Sequence, residues 1–390
     1  MGISKRAIQV PPSSIREIYD LALKMEGVYR LFLGESNIGT PDFIKKAAKK
    51  ALDEDYVFYT ANAGYLDLRQ ALSEKVREWH QVYYDPQTEI AITAGGVMGI
   101  HLAIYTAIDP GEKAILISPA WPNFKAVIQM VGAIPVEIPL TKLDQRYSLD
   151  FDRILEAIDN KTKLIVCNSP SNPTGWVATL EEKEKLYQIA ATHGLTLVFD
   201  EVYEHLVFTG KRPAPSIAKV VSEPSENLIV LNSLSKTYSM TGWRVGYVLS
   251  HRKVISQISK LQEFTVSHAT SIAQRAAITA LREGEGFIQQ SVEIYRKNRD
   301  LVYQRLAGME GVDIKIPEGA FYAFPSIRGM KDSLEFCKKL LLTKKVGLAP
   351  GSAFGEGGEG HVRICFAAEE SLLKPALDKF EEFLKETLKS

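Results

Sequence analysis

Residues 164–203 read LIVCNSPSNPTGWVATLEEKEKLYQIAATHGLTLVFDEVY, and this stretch decides the fold. It opens with a short apolar run, Leu164 to Asn168, of the kind that forms a buried strand. After a turn rich in proline and asparagine, Thr179 and Glu182 stand at capping-box spacing, Leu186, Ile189 and Ala190 share one helical face, and Gly194 supplies the stop. A second apolar run, Leu195 to Phe199, follows at once. Strand, helix and strand in that order make the repeating unit of a parallel sheet, because the intervening helix carries the chain back along the sheet face.

The same alternation extends on both sides. Glu89 to Thr93, Ala114 to Ser118 and Leu228 to Leu231 also read as strands, so residues 43–287 are expected to form a large α/β unit whose mostly parallel sheet is covered by helices. From Ile288 the pattern changes to a long polar helix, short strands near Val312 to Ile316, Phe321 to Phe324 and Val362 to Phe366, and an amphipathic helix from Ser371. Residues 288–390 are therefore expected to form a smaller α+β unit. Residues 1–42, with Pro11, Pro12 and a helix over Ile15 to Lys24, are expected to pack on it.

Composition bounds the function. A chain of 390 residues with 47 basic and 47 acidic side chains has no net charge to recommend it to nucleic acid or to an anionic membrane. No apolar run approaches the roughly 18 residues needed to span a bilayer, and the first ten residues lack the core of a signal peptide. Cys167, Cys337 and Cys365 are odd in number and lack CxxC spacing, which points to a reducing, cytoplasmic setting rather than a disulfide framework. Seven scattered histidines without HExxH give no support for a metal site.

In an open parallel sheet, ligands collect beyond the carboxyl ends of the strands. There the sequence is polar: Gly95-Gly96-Val97, Ala120-Trp121, Ser169 to Gly175, Asp200 to Tyr203, and Ser233 to Lys236. Glycines opening a helix let backbone N–H groups approach a phosphate, and Ser233 and Arg244 can complete that site. Trp121 offers a flat face for an aromatic ring, Asp200 a carboxylate to keep a pyridine nitrogen protonated, and Lys236 an amine to form a Schiff base with an aldehyde. Asn172 and Tyr203 can hydrogen-bond a phenolic oxygen on the same ring. The set suits an aromatic, phosphorylated aldehyde.

Over nearly its whole length the chain resembles the class I and II aminotransferases of fold type I, which use pyridoxal 5'-phosphate (PLP). Gly34 to Pro41 resembles the family's GEPDFDTP segment, Ser169 to Gly175 its SPxNPTG, and Asp200 to Tyr203 its DE(I/V)Y. Ser233 to Lys236, with Arg244 eight residues after the lysine, resembles the lysine motif, and Pro317 to Tyr322 and His361 to Ile364 its later landmarks. The resemblance implies an amino-group transfer from an L-amino acid to a 2-oxo acid with Lys236, Asp200 and Tyr203 as catalytic residues. It implies cofactor contacts from Gly96, Val97, Trp121, Asn172, Ser233 and Arg244, helped by Tyr59 of a second subunit in a homodimer. Arg363 would grip the substrate carboxylate as a bidentate fork, with Gly34, Trp121 and Asn172 lining the pocket.

Other PLP chemistries, a carbon–sulfur lyase or a synthase, remain open on the same scaffold. Plainer roles also remain: Asp200 as a helix cap, Trp121 as core, Arg363 in a surface ion pair. Val97 stands where aspartate-specific members often carry a lysine, and Ser36, Asn37 and Ala120 depart from the usual pattern. Neutral amino acids are therefore expected to be better donors than aspartate. Gly355 to Gly360 spells GxGxxG, but it precedes a strand instead of opening a helix after one, and reads as a polar loop.

Overall fold

The computed structural model describes residues 2–4, 7–8, 10–143, 146–210 and 212–387. Its centre is a seven-stranded sheet made of β1 (Ile90–Thr93), β2 (Lys113–Ser118), β3 (Ile134–Pro139), β4 (Thr162–Asn168), β5 (Thr196–Asp200), β6 (Leu228–Ser233) and β7 (Gly246–Leu249). The spatial order is β1-β7-β6-β5-β4-β2-β3, and every pairing is parallel except those of β7 with its two neighbours. Both faces are covered. Ile165, Leu197 and Val230 point into one apolar layer, while Val166, Val198 and Leu231 point into the other. This is why the central strands read as continuous apolar runs instead of alternating ones.

The five expected strands are all present, each shifted at its ends by no more than a few residues. Two others were not foreseen. β3 contains Pro135 and Pro139 and lies at the sheet edge, where a missing N–H is tolerated, so its prolines hid it. β7 follows the lysine segment so closely that its four residues read as part of that motif. The helix Leu180–Thr192 has the expected capping box, with Thr179 accepting from the Glu182 N–H and Glu182 accepting from the Thr179 N–H.

The later chain supplies a long helix, Glu285–Ala307, three short strands β8 (Tyr322–Ala323), β9 (Ala349–Pro350) and β10 (Val362–Cys365) joined in the order β8-β10-β9, and a closing helix, Glu370–Thr387. The helix Ser14–Ala22 lies against the helix Ser333–Lys344 and against β9. The glycine run before β10 is shaped by packing. A side chain at Gly358 would meet the Gly351 carbonyl, and Gly355, at φ +102°, lies against the Glu137 carboxylate. Among the described residues, no helix is long and apolar enough to cross a membrane.

Candidate active site

The carboxyl ends of β1, β4, β5 and β6 open into one cavity of about 260 Å³, closed from the other side by residues of the later chain. One end of it is built around glycines. Gly95 adopts φ +79°, and a Cβ there would stand 2.3 Å from Arg244 Nη2, so only glycine lets the guanidinium sit beside the first turn of the helix Gly95–Ala107. Arg244 itself is held at φ +58°, in the left-handed region that costs a non-glycine residue energy, and its Nη1 donates to the Thr241 carbonyl at 2.8 Å. Ser233 Oγ accepts from the Ser235 N–H at 3.0 Å. With Gly96 and Val97 these groups surround a helix N-terminus, where backbone donors and the helix dipole favour an anion.

Asp200 ends β5 and lines the same cavity. Its Oδ1 accepts from the Val202 N–H at 3.0 Å in a turn, so the helix-cap role is not what it performs. Burial pushes its carboxyl up to about 7, because a charge there has lost its water. Trp121 forms part of the cavity wall, with its ring edge-on to Phe124 at 6.0 Å. Lys236 belongs to the short helix Leu234–Thr237 that follows β6. Its Nζ donates to the Gly34 carbonyl at 2.5 Å, and burial lowers its pKa to about 8. A lysine so placed is more easily made neutral, and therefore nucleophilic, than one in water.

Arg363, on β10, is 2% exposed, which rules out the surface ion pair. Its Nη1 donates to Asn172 Oδ1 at 2.9 Å and its Nη2 to the Phe32 carbonyl at 2.5 Å, while its buried Nε has no partner. Among the described residues no carboxylate lies within ion-pair distance of it. A buried cation left without a counter-charge is costly, and an incoming carboxylate would relieve that cost. Tyr203 completes this wall with its hydroxyl 2.8 Å from that of Tyr322.

Of the residues expected to bind cofactor or substrate, Tyr59 alone lies away from the cavity lining, and Ser36, Asn37 and Ala120, singled out for donor choice, do not line it either. Tyr59 is 89% exposed, edge-on to His268 at 5.7 Å, and the cavity takes nothing from either. Sequence reasoning missed Tyr322, although it ends a motif already quoted, and it missed Ile15 and Leu33. The last two reach the cavity through long-range packing that leaves no local signature.

A helix N-terminus opened by glycines, a flat indole, a buried acid and a buried amine meet in one cavity, and these residues fit PLP. The sequence profile of "Aminotransferase class I and II" matches residues 27–380. The chain is 36% identical to an aspartate aminotransferase of Pyrococcus horikoshii over 386 residues, covering 98% of this chain and 97% of that one. It is also 36% identical to aromatic-amino-acid aminotransferase 2 of Thermococcus litoralis, covering 99% of each. The aspartate aminotransferase of Thermus thermophilus solved with maleate superposes with a TM-score of 0.92 at 32% identity, covering 98% of this chain and 100% of that one. The chain belongs to the class I and II aminotransferases, and it is a PLP-dependent aminotransferase of fold type I.

Proposed function

We propose that this aminotransferase moves the amino group of a neutral L-amino acid to a 2-oxo acid, with its cofactor held as a Schiff base on Lys236. The observation that carries the reading is the pairing, in one cavity, of the enclosed Lys236 amine with a buried Arg363 that has no carboxylate of its own. When bound, PLP supplies an electron-withdrawing ring conjugated to the reacting carbon. The chain supplies the rest. Asp200 keeps a proton on the ring nitrogen, and Asn172 and Tyr203 hydrogen-bond the phenolic oxygen. Gly96, Val97, Ser233 and Arg244 hold the phosphate and Trp121 covers the ring. Arg363, beside Gly34, would orient the substrate carboxylate, and Lys236 Nζ would take up and release the α-proton. The aminotransferase names of the relatives favour transfer over the lyase or synthase alternative.

The donor class follows from the walls. The cations lining the cavity are Lys236, Arg244 and Arg363, and each already has a task. The rest of the lining carries no further cation and includes the apolar Ile15, Leu33 and Val97. A second substrate carboxylate buried there would lack a partner, at a cost of several kcal/mol. In a screen of amino donors against 2-oxoglutarate and pyruvate, neutral side chains from alanine to the aromatics are expected to exceed aspartate in kcat/KM by about 100-fold or more. Aspartate as the best donor would overturn this reading. Release of ammonia and pyruvate without any acceptor acid would overturn transamination.

The active form we infer is a homodimer. Val57, Phe58 and Tyr59 are exposed, as are Phe264 and Val266, and an Asn62–Glu263 hydrogen bond of 3.0 Å ties the two segments into one apolar face. Such a face is suited to cover by a second copy, which would bring Tyr59 to the partner's phosphate site. Tyr59→Phe is expected to raise the dissociation constant for PLP by about 10- to 100-fold, the worth of one hydrogen bond to a charged group, with Lys236 intact. An active monomer in sedimentation would refute the shared site. Residues 43–287 would carry the cofactor, with 288–390 and the 1–42 segment closing over it. The three buried thiols suit a cytoplasmic setting.

A further inference from the structure

Tyr322 is completely buried on β8, and three neighbours of different function converge on it. Its hydroxyl lies 2.8 Å from that of Tyr203. Its ring faces the Arg363 guanidinium, whose central carbon is 4.5 Å from the ring centroid. Its tip occupies the space a side chain at residue 34 would need, 2.6 Å from an ideal Cβ on Gly34, whose carbonyl receives the Lys236 amine. Strand register fixes these relations: Tyr322 pairs with Cys365 and Ala323 with Ile364, so the tyrosine and Arg363 rise from adjacent strands of one small sheet.

Two hydroxyls that share one hydrogen bond have two protons between them, and which one donates decides what the other can do. If Tyr203 donated to Tyr322, its only proton would be spent and it would have none for a cofactor oxygen. If Tyr322 donates, the Tyr203 proton is free to point into the cavity. Two features favour the second arrangement. The cation over its ring makes Tyr322 the better donor, since it stabilises negative charge developing on that phenol. Its hydroxyl also has no hydrogen-bond partner other than Tyr203 among the described residues.

We propose that Tyr322 is a positioning residue with two surfaces: its hydroxyl donates to Tyr203, turning the Tyr203 proton toward the phenolic oxygen of the cofactor, and its ring backs the Arg363 fork. The inference rests on the proposed Schiff-base site and couples the carboxylate-binding end of that site to the ring-binding end. A donor hydrogen bond to the phenolic oxygen favours the unprotonated Schiff base, and donation from Tyr322 strengthens that bond by polarising the Tyr203 hydroxyl.

The test uses the holoenzyme, its absorbance titrated against pH, together with steady-state kinetics for a neutral donor. Tyr322→Phe keeps the ring and removes the proton. Its absorbance midpoint is expected to move upward by several tenths of a pH unit, with KM for the donor changed less than about 2-fold. In a Tyr203→Phe background the same substitution should produce no further shift. Tyr322→Leu removes the flat face as well and should raise KM by about 5- to 10-fold. An unmoved midpoint in Tyr322→Phe, or an equal shift with Tyr203 absent, would show that Tyr322 is only a wall. If the wild type forms no borohydride-reducible adduct on Lys236, the Schiff-base reading fails instead, and the two failures are told apart. Should the leucine variant not retain cofactor, the phenylalanine variant and the double variant decide the matter alone.

Discussion

Replacement of Lys236 by alanine is expected to lower turnover by about 10⁴-fold or more, because one side chain would serve both as the covalent anchor and as the base. The wild type should be yellow, with a band near roughly 420 nm that borohydride bleaches while fixing the cofactor to residue 236. The variant should still bind PLP, since the phosphate cradle, Trp121 and Asp200 are untouched, but no covalent adduct should survive reduction. Peptide mapping after reduction reads the adduct directly and does not depend on the choice of substrate. Wild-type turnover in the variant, or a reducible adduct on another lysine, would refute the assignment. Fold collapse is not the expected cause of the loss, because among the described residues Lys236 Nζ makes one hydrogen bond, to a carbonyl that water can satisfy in its place, and one long cation–π contact with Phe321 at 5.9 Å.

The second large effect is expected at Asp200. Replacing it with alanine removes the counter-charge to the ring nitrogen, and α-proton removal should slow by about 10²- to 10³-fold while donor affinity changes far less. The asymmetry arises because the contact strengthens only as electrons move into the ring. Rapid mixing with an α-deuterated donor should therefore show an isotope effect at least as large as in the wild type. A defect confined to KM would exclude this role. In the chain without cofactor, burial pushes the carboxyl up to about 7, which favours its protonated form relative to a carboxyl in water. A cationic ring nitrogen against it would return it to the ionised form.

Much of this was legible in the sequence because strand ends carry their chemistry locally. Asp200 follows an apolar run directly, and Lys236 follows another within a few residues, so a strand prediction and a motif gave the same answer. Arg363 was legible only through its motif. Nothing local distinguishes an arginine on a short strand that meets Asn172 from one that meets solvent, and the difference lies in a contact across 191 residues. Ile15 and Leu33 belong to the same class of silent residue, brought to the cavity by the packing of distant elements. β3 was obscured by its own prolines. β7 escaped for a different reason: an antiparallel strand inserted into a parallel sheet breaks the alternation on which the reading relied.

That inserted strand also orders events during synthesis. β1 ends at Thr93, yet its sheet partner begins at Gly246, and Gly95 meets Arg244 only after the intervening chain has been made. A nascent chain that has just emerged through β6 therefore carries a β1 with no sheet partner, an open edge on β6, and half of a phosphate cradle. The pairing of Gly95 with Arg244 is therefore completed only once the strand that follows Arg244 has been made. Until then the ribosome-borne intermediate depends for its solubility on how quickly four residues, 246–249, close the gap.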